Sequence, residues 1–352
     1  MSTYLKFTAH SQAAIVASIA LLVSGCANIP LIDRTIATGS GVDTQSLAAE
    51  TTSLPATEIV IAPLRLSSDH IVGSWVIRTE NPGYENQPWF EPGRHSFFYV
   101  AEGESGKTDI WRVDLTDKLE RQQNITADVN EFSPRLSPDG TAVTYIQESV
   151  DGTSTKVHRL SLADAAKDNS DTRGSEVFDF GPVGYYSFLD GGAKAAVFYR
   201  SEPGSLYLVD VLSNSSTKLA DNIGRGLLSD PGGNKVYFTS PSELGAHMLH
   251  SYDWRSSDTA RYFELIGGAS DYALLFDEQG NPRTVFAASG QKIFMRAFGD
   301  AETWTEIADY SASDIGEISR VAVSDDAMWI AFVVADDVMP ESILPPDIEA
   351  DE

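Results

Sequence analysis

Phe132-Ser133-Pro134-Arg135-Leu136-Ser137-Pro138-Asp139-Gly140, followed at once by Ala142-Val143-Thr144-Tyr145-Ile146, is the stretch that decides the fold. At its centre is a chain reversal: Pro138 presets φ, Asp139 bonds its own backbone, and Gly140 accepts a positive φ. The run after the turn is β-branched and aromatic, as a buried strand should be. About 45 residues upstream, the period of a blade-like repeat, Pro88-Trp89-Phe90-Glu91-Pro92-Gly93 precedes Phe97-Phe98-Tyr99-Val100. Weaker copies follow downstream. Ser187-Phe188-Leu189-Asp190-Gly191-Gly192 precedes Ala196-Val197-Phe198-Tyr199, and Leu228-Ser229-Asp230-Pro231-Gly232-Gly233 precedes Val236-Tyr237-Phe238. The last two are Phe276-Asp277-Glu278-Gln279-Gly280 before Thr284-Val285-Phe286, and Val323-Ser324-Asp325-Asp326 before Trp329-Ile330-Ala331-Phe332.

Each unit continues into a third strand, as in Asp109–Leu115, Lys156–Leu160, Leu206–Asp210 and Lys292–Arg296. A short polar fourth strand follows, such as Glu120–Ile125 or Thr217–Leu219, suited to an outer edge. The final unit supplies only two strands, within Val321–Val334. Two further strands stand at the other end, Glu58–Leu64 and Ser74–Ile77, where they align with the third and fourth strands of the first unit. The pattern therefore predicts an all-β, six-bladed propeller of four-stranded blades, its ring closed by N-terminal strands that complete the last blade.

Asn81–Phe90, Thr108–Leu115 and Phe132–Gly140 together resemble the TolB-like propeller repeats of bacteria. The likeness is good over 81–146 and decays afterwards. It implies the propeller fold and, by analogy, a docking role in the cell envelope. TolB proper has a small α/β domain ahead of its propeller, where this chain has only a polar, Ala/Thr/Ser-rich stretch.

An apolar run, Ala13–Val23, leads to Leu22-Val23-Ser24-Gly25-Cys26 and is too short for a spanning helix. This resembles a bacterial lipoprotein signal ending in the acylated cysteine. Residues 1–25 are then a signal peptide, Cys26 is the lipid anchor, 26–57 a flexible tether, 58–335 the propeller and 336–352 an acidic disordered tail. Ala27, in place of Asp, implies sorting to the periplasmic face of the outer membrane. Cys26 is the only cysteine, so the fold must stand without an internal disulfide. Lys6 is the only Lys, Arg, Asp or Glu in 1–25, so its removal leaves 24 basic against 51 acidic residues. Such a surface repels nucleic acid and anionic headgroups, which leaves the lipid as the membrane contact. The propeller is expected to be monomeric.

The chain carries no nucleophile elbow, zinc-protease helix, phosphate loop or dinucleotide fingerprint. His247 and His250 have a spacing open to a metal, but a surface strand suits that region better. Asp151-Gly152 and Asp190-Gly191-Gly192 read as hairpin turns, and the six tryptophans as packing between blades. No cofactor and no metal are predicted. A binding site is expected at the channel mouth, where the innermost strands begin. Aligning the repeats places Gln87, Ser133, Tyr185, Arg225, Ala273 and Arg320 there, with Asn86 and Tyr272 one step earlier and Glu85, Glu131 and Asp271 one step further out. Arg225 and Arg320 either grip an acidic peptide or a carboxylated sugar, or pair with Glu85, Glu131 and Asp271. Two functions are weighed: a non-catalytic lipoprotein docking an envelope protein, and a lyase-like or lactonase-like enzyme or glycan binder working in the funnel.

Overall fold

The second strand of each repeat shows how the fold is held. Ser96–Glu102 is buried at every residue through Ala101. Phe97, Tyr99 and Ala101 face one neighbouring blade, while Phe98 and Val100 face the other. A strand covered on both sides needs no polar alternation, which is why its sequence is continuously apolar. The six hydrophobic clusters of the core are the six inter-blade layers.

This computed structural model describes residues 54–335 apart from 69–70, 75, 78, 80–82, 116–118, 125–128, 167–173, 244, 270, 300–302 and 314. The expected signal peptide, Cys26, nearly all of the tether and the acidic tail lie outside the described residues. Leu54 already packs on the blade 1–2 layer, and the first strand begins at Thr57.

Blade 1 comprises Glu85–Phe90, Ser96–Glu102, Thr108–Asp114 and Leu119–Asn124. Blade 2 comprises Glu131–Leu136, Ala142–Glu148, Thr155–Ser161 and Ser175–Glu176, with a one-turn helix at Leu162–Ala165. Blade 3 is Val183–Leu189, Lys194–Tyr199, Ser205–Asp210 and Ser216–Asp221. Blade 4 is Leu228–Ser229, Lys235–Pro241, His247–Asp253 and Thr259–Glu264. Blade 5 is Ala273–Phe276, Pro282–Ser289, Lys292–Ala297 and Thr305–Asp309. Blade 6 joins Arg320–Val323 and Trp329–Ala335 to Thr57–Pro63 and Val76–Ile77. All six sheets have four antiparallel strands. Closure is in register from Thr57 opposite Ala335 to Pro63 opposite Trp329, and Val60 pairs with Ile77 on the outer side. The ring is closed by the N-terminal strands, as the repeat count requires.

The turns account for part of the chain's acidity. Asp139 Oδ1 accepts from the Ser137 hydroxyl at 2.5 Å and the Thr141 N–H at 3.1 Å. Asp151 and Asp326 repeat that arrangement with Ser149 and Ser324. Asp210, Asp253, Asp277 and Asp309 likewise accept backbone N–H groups from the residues that follow them. Asp139 and Asp151, bonded to the Ser137 and Ser149 hydroxyls, are both held down at about 2. Asp210, bonded to the Ser213 N–H, is also held at about 2. These side chains belong to the hairpins as much as to the surface.

Candidate functional site

The first strands form the inner wall of the channel, touching directly between blades 6 and 1, 1 and 2, 3 and 4, and 5 and 6. They enclose a cavity of about 950 Å³ that runs from their first residues to the turns leading into the second strands. In blades 1 and 2 the ladder is broken by a bulge, with Gln87 at φ 58° and Ser133 at φ 54°. Left-handed backbone is uncommon for residues with a Cβ and has to be held by its surroundings. Here the holding group is Gln87 Oε1, which accepts from the Ser133 N–H and, at 3.2 Å, from the Ser133 hydroxyl. Gln87 Nε2 donates to Tyr84 Oη at 3.3 Å, and burial pushes the Tyr84 hydroxyl up to about 12.

The opposite side of the wall is braced by long side chains. Arg320 Nη2 donates to Tyr185 Oη at 2.8 Å, from blade 6 to blade 3 across the ring, and its guanidinium lies over the Tyr185 face. Arg320 Nη1 and Arg225 Nε lie 3.3 and 3.4 Å from the same oxygen, Asp271 Oδ2. Arg225 also donates to the Ser319 carbonyl, and Tyr272 Oη donates to the Gly226 carbonyl at 3.4 Å. Burial opposes the charge of Arg320, but facing Tyr185 and Asp271 outweigh it and raise its pKa. Burial first, and then nearby Asp271, raise the Tyr272 hydroxyl well above its ordinary value.

The structure thus brings Tyr185, Arg225, Asp271, Tyr272 and Arg320 together, with Gln87 on the same cavity wall. They stand as struts across one end of the channel rather than as a ring around an open mouth. Glu85, Asn86 and Glu131 do not line the cavity. They are buried in the joints between blades: the Thr57 hydroxyl donates to the Glu85 carbonyl at 2.7 Å, and the Thr108 hydroxyl to the Glu131 carbonyl at 2.9 Å. Asn86 Nδ2 reaches Thr57 Oγ1 at 3.3 Å in the same joint.

Arg135 was not among the residues aligned at the mouth, yet it lines the cavity. Its Nη2 donates to the Leu227 carbonyl at 3.0 Å, its guanidinium lies 5.8 Å from the Tyr186 ring, and burial lowers its pKa. Period-2 alternation from Ser133 along an inner strand was the available signal. His247 and His250 lie on the third strand of blade 4, where a spacing of three puts side chains on opposite faces. His250 Nε2 instead meets Ser240 Oγ at 3.0 Å. Trp89, Trp111, Trp254, Trp304 and Trp329 pack into inter-blade layers; Trp75 lies outside the described residues.

No family model and no curated protein matches the sequence. Among solved structures, a protein assigned to TolB from Agrobacterium tumefaciens superposes with a TM-score of 0.59 at 15% identity, over 80% of this chain and 98% of that one. The chain shares the propeller fold of that structure. TolB from Acinetobacter baumannii gives a TM-score of 0.49 at 12% identity, over 79% of this chain and 64% of that one. An oligogalacturonate lyase from Vibrio parahaemolyticus gives 0.47 at 11% identity, over 76% and 81%. At 15% identity the first of these similarities speaks to the fold alone, and the function has to be argued from the site.

Proposed function

We propose that this protein is a non-catalytic cell-envelope lipoprotein, anchored through Cys26, that docks a protein partner on the channel face of its propeller. The observation that carries the reading is the composition of the cavity. Its guanidinium, phenol and amide groups are largely engaged in bonds that brace the ring, and among the described residues its lining has no histidine, lysine or cysteine. Acid–base catalysis calls for titratable pairs whose environments push them apart, and the cavity offers instead a shaped surface with fixed donors. The lipobox-like sequence before Cys26 supports the anchor, and Ala27 supports the periplasmic face of the outer membrane.

A second reading, a glycan binder or lyase-like enzyme, draws on the cavity's enclosed volume, which is ample for a small ligand. In-cell crosslinking with mass spectrometry on the tagged protein separates the two. Docking predicts one reproducible envelope partner, lost when Arg225→Ala and Arg320→Ala are combined, and Cys26→Ala moves the protein out of the membrane fraction. A purified protein that carries a glycan or metal and crosslinks to no partner favours the second reading.

A further inference from the structure

The braced end of the channel holds more positive charge than its visible partner balances. Arg225 and Arg320 share a single oxygen of Asp271 at 3.4 and 3.3 Å, so neither forms a close two-pronged pair. Arg135 is a third guanidinium on the same wall. Its Nε is buried and meets no acceptor, and the carboxylate that acts on it electrostatically is again Asp271. Arginine keeps its proton throughout the biological pH range, and a buried cation is costly to hold unless an anion joins it. Guanidiniums also match carboxylates better than any other side chain does, through paired N–H donors.

We propose that Arg135, Arg225 and Arg320 form a carboxylate-binding site, which takes an acidic side chain from a peptide segment threaded into the channel. The proposal rests on the docking reading above and names the chemistry of the docked segment. The wall favours a peptide over a sugar. Leu136, Phe188, Leu228, Leu274 and Val323 line the cavity half-buried and suit aliphatic side chains flanking the carboxylate. The turns at the far end bear Asp277, Glu278 and Asp325. A ligand carboxylate is repelled there and attracted at the guanidiniums, which fixes the direction in which a segment lies.

The test uses the full chain carrying Cys26→Ala, titrated calorimetrically at low salt with a short blocked peptide of alternating Glu and Leu. A Gln/Leu peptide and a short oligogalacturonate serve as comparison ligands. The Glu peptide should bind, and the Gln peptide should bind at least about tenfold more weakly. Arg135→Gln should weaken Glu-peptide binding about tenfold and leave the weaker Gln-peptide binding unchanged. A purely structural role for Arg135 predicts that binding of both peptides weakens together. Should Arg135→Gln not fold, Arg225→Gln gives the same reading of affinity. Equal binding of both peptides, normal binding by the folded variants, or binding of the oligogalacturonate in place of the peptide overturns the proposal. An envelope crosslink that survives in Arg135→Gln leaves docking in place and removes only the carboxylate site.

Discussion

Blades 6, 1 and 2 each tie to the next blade by one device used three times, whereas blades 3 and 5 depart from it. The third strand of each of the first group opens on a buried threonine: Thr57, Thr108 and Thr155. Its hydroxyl donates to the carbonyl that opens the next blade, at Glu85, Glu131 and Val183, over 2.7 to 2.9 Å. In blade 3 the equivalent residue is Ser205, whose hydroxyl turns back to Asp221 of its own blade at 2.9 Å. Between blades 5 and 6 the Gln291 amide bonds the Ile315 carbonyl, and the Ile318 N–H bonds the Gly290 carbonyl at 2.8 Å. The inner wall divides in a related way. Gln87 and Ser133 stand on bulges in blades 1 and 2, while Tyr185, Arg225 and Asp271 of the other half meet Arg320 of blade 6 across the channel. Three joints of the ring repeat one structural rule, and the cavity is shaped where long side chains of the other blades meet Arg320 of blade 6.

The largest effect should come from the buried charge of the regular half. Glu91 is fully buried and holds Arg112, Arg94 at 3.0 Å and the Ser96 hydroxyl at 2.7 Å. Arg112→Met removes the better-covered cation and should cost about 2–3 kcal/mol, roughly 3–5 °C in thermal midpoint. Lys194→Met breaks a partly exposed pair with Asp210 in blade 3 and should cost less than about 1 kcal/mol. Equal losses in scanning calorimetry would remove the contrast between the halves.

Next in size is the joint itself. Thr108→Val keeps the shape but leaves the Glu131 carbonyl and the Glu131 N–H, which donates to Thr108 at 3.1 Å, without their partner. Two buried backbone groups left unbonded should cost roughly 2 kcal/mol. Ser205→Ala, at the equivalent place in blade 3, should cost under about 1 kcal/mol because Asp221 remains exposed to water. A denaturant midpoint for each variant decides, and a reversed order would show that the decayed joints carry the ring.

Acid should act on both halves alike. Asp139 and Asp151 of blade 2 and Asp210 of blade 3 are held at about 2 by hydroxyl and N–H donors. Asp309 of blade 5 is depressed further still, by Lys292 first and then Ser311. A depressed carboxylate lends stability that is present above its unfolded value near 4 and lost as pH falls towards 2. The thermal midpoint should therefore fall steadily through that window, and Asp151→Asn should flatten the fall. A midpoint that is level from pH 5 to pH 2 would mean that these turns do not bind their aspartates as drawn.

The division of the ring also governs what its sequence discloses. Pro138-Asp139-Gly140 is local chemistry, and the alternation in Asp109–Leu115 follows from a strand with two unlike faces, so both are legible without knowing their neighbours. Closure was legible too, because Glu58–Leu64 and Val321–Val334 are each half of one blade. The channel cluster depends on residues far apart in sequence. Alignment could bring Arg225, Asp271 and Arg320 to one level, but the reach of Arg320 to Tyr185 across the ring depends on its diameter. Glu85 and Glu131 stood at the same level in the alignment and went into the joints. The bulge at Gln87 and Ser133 shifts which side chains face the channel, and a one-residue shift reverses the face.

The smallest effect tests whether the repeat rule still operates inside blade 6. Its turn copies that of blade 2: Ser324 and Asp326 stand for Ser137 and Asp139, and Ala327, at φ 57°, stands for Gly140, at φ 69°. A left-handed alanine carries a strain that glycine does not, and the Gly140 site has open space where a Cβ would go. Gly140→Ala therefore reports backbone energy almost alone, and Ala327→Gly adds the loss of one methyl group at the edge of the blade 5–6 layer. Ala327→Gly should raise stability by about 0.5–1 kcal/mol, and Gly140→Ala should lower it by about the same. Opposite shifts of similar size in thermal midpoint would show that the two turns are one design at different degrees of wear. A loss in both would mean that Ala327 contributes packing against the blade 5–6 layer, where its methyl group lies, and that blade 6 has moved away from the rule it shares with blades 1 and 2.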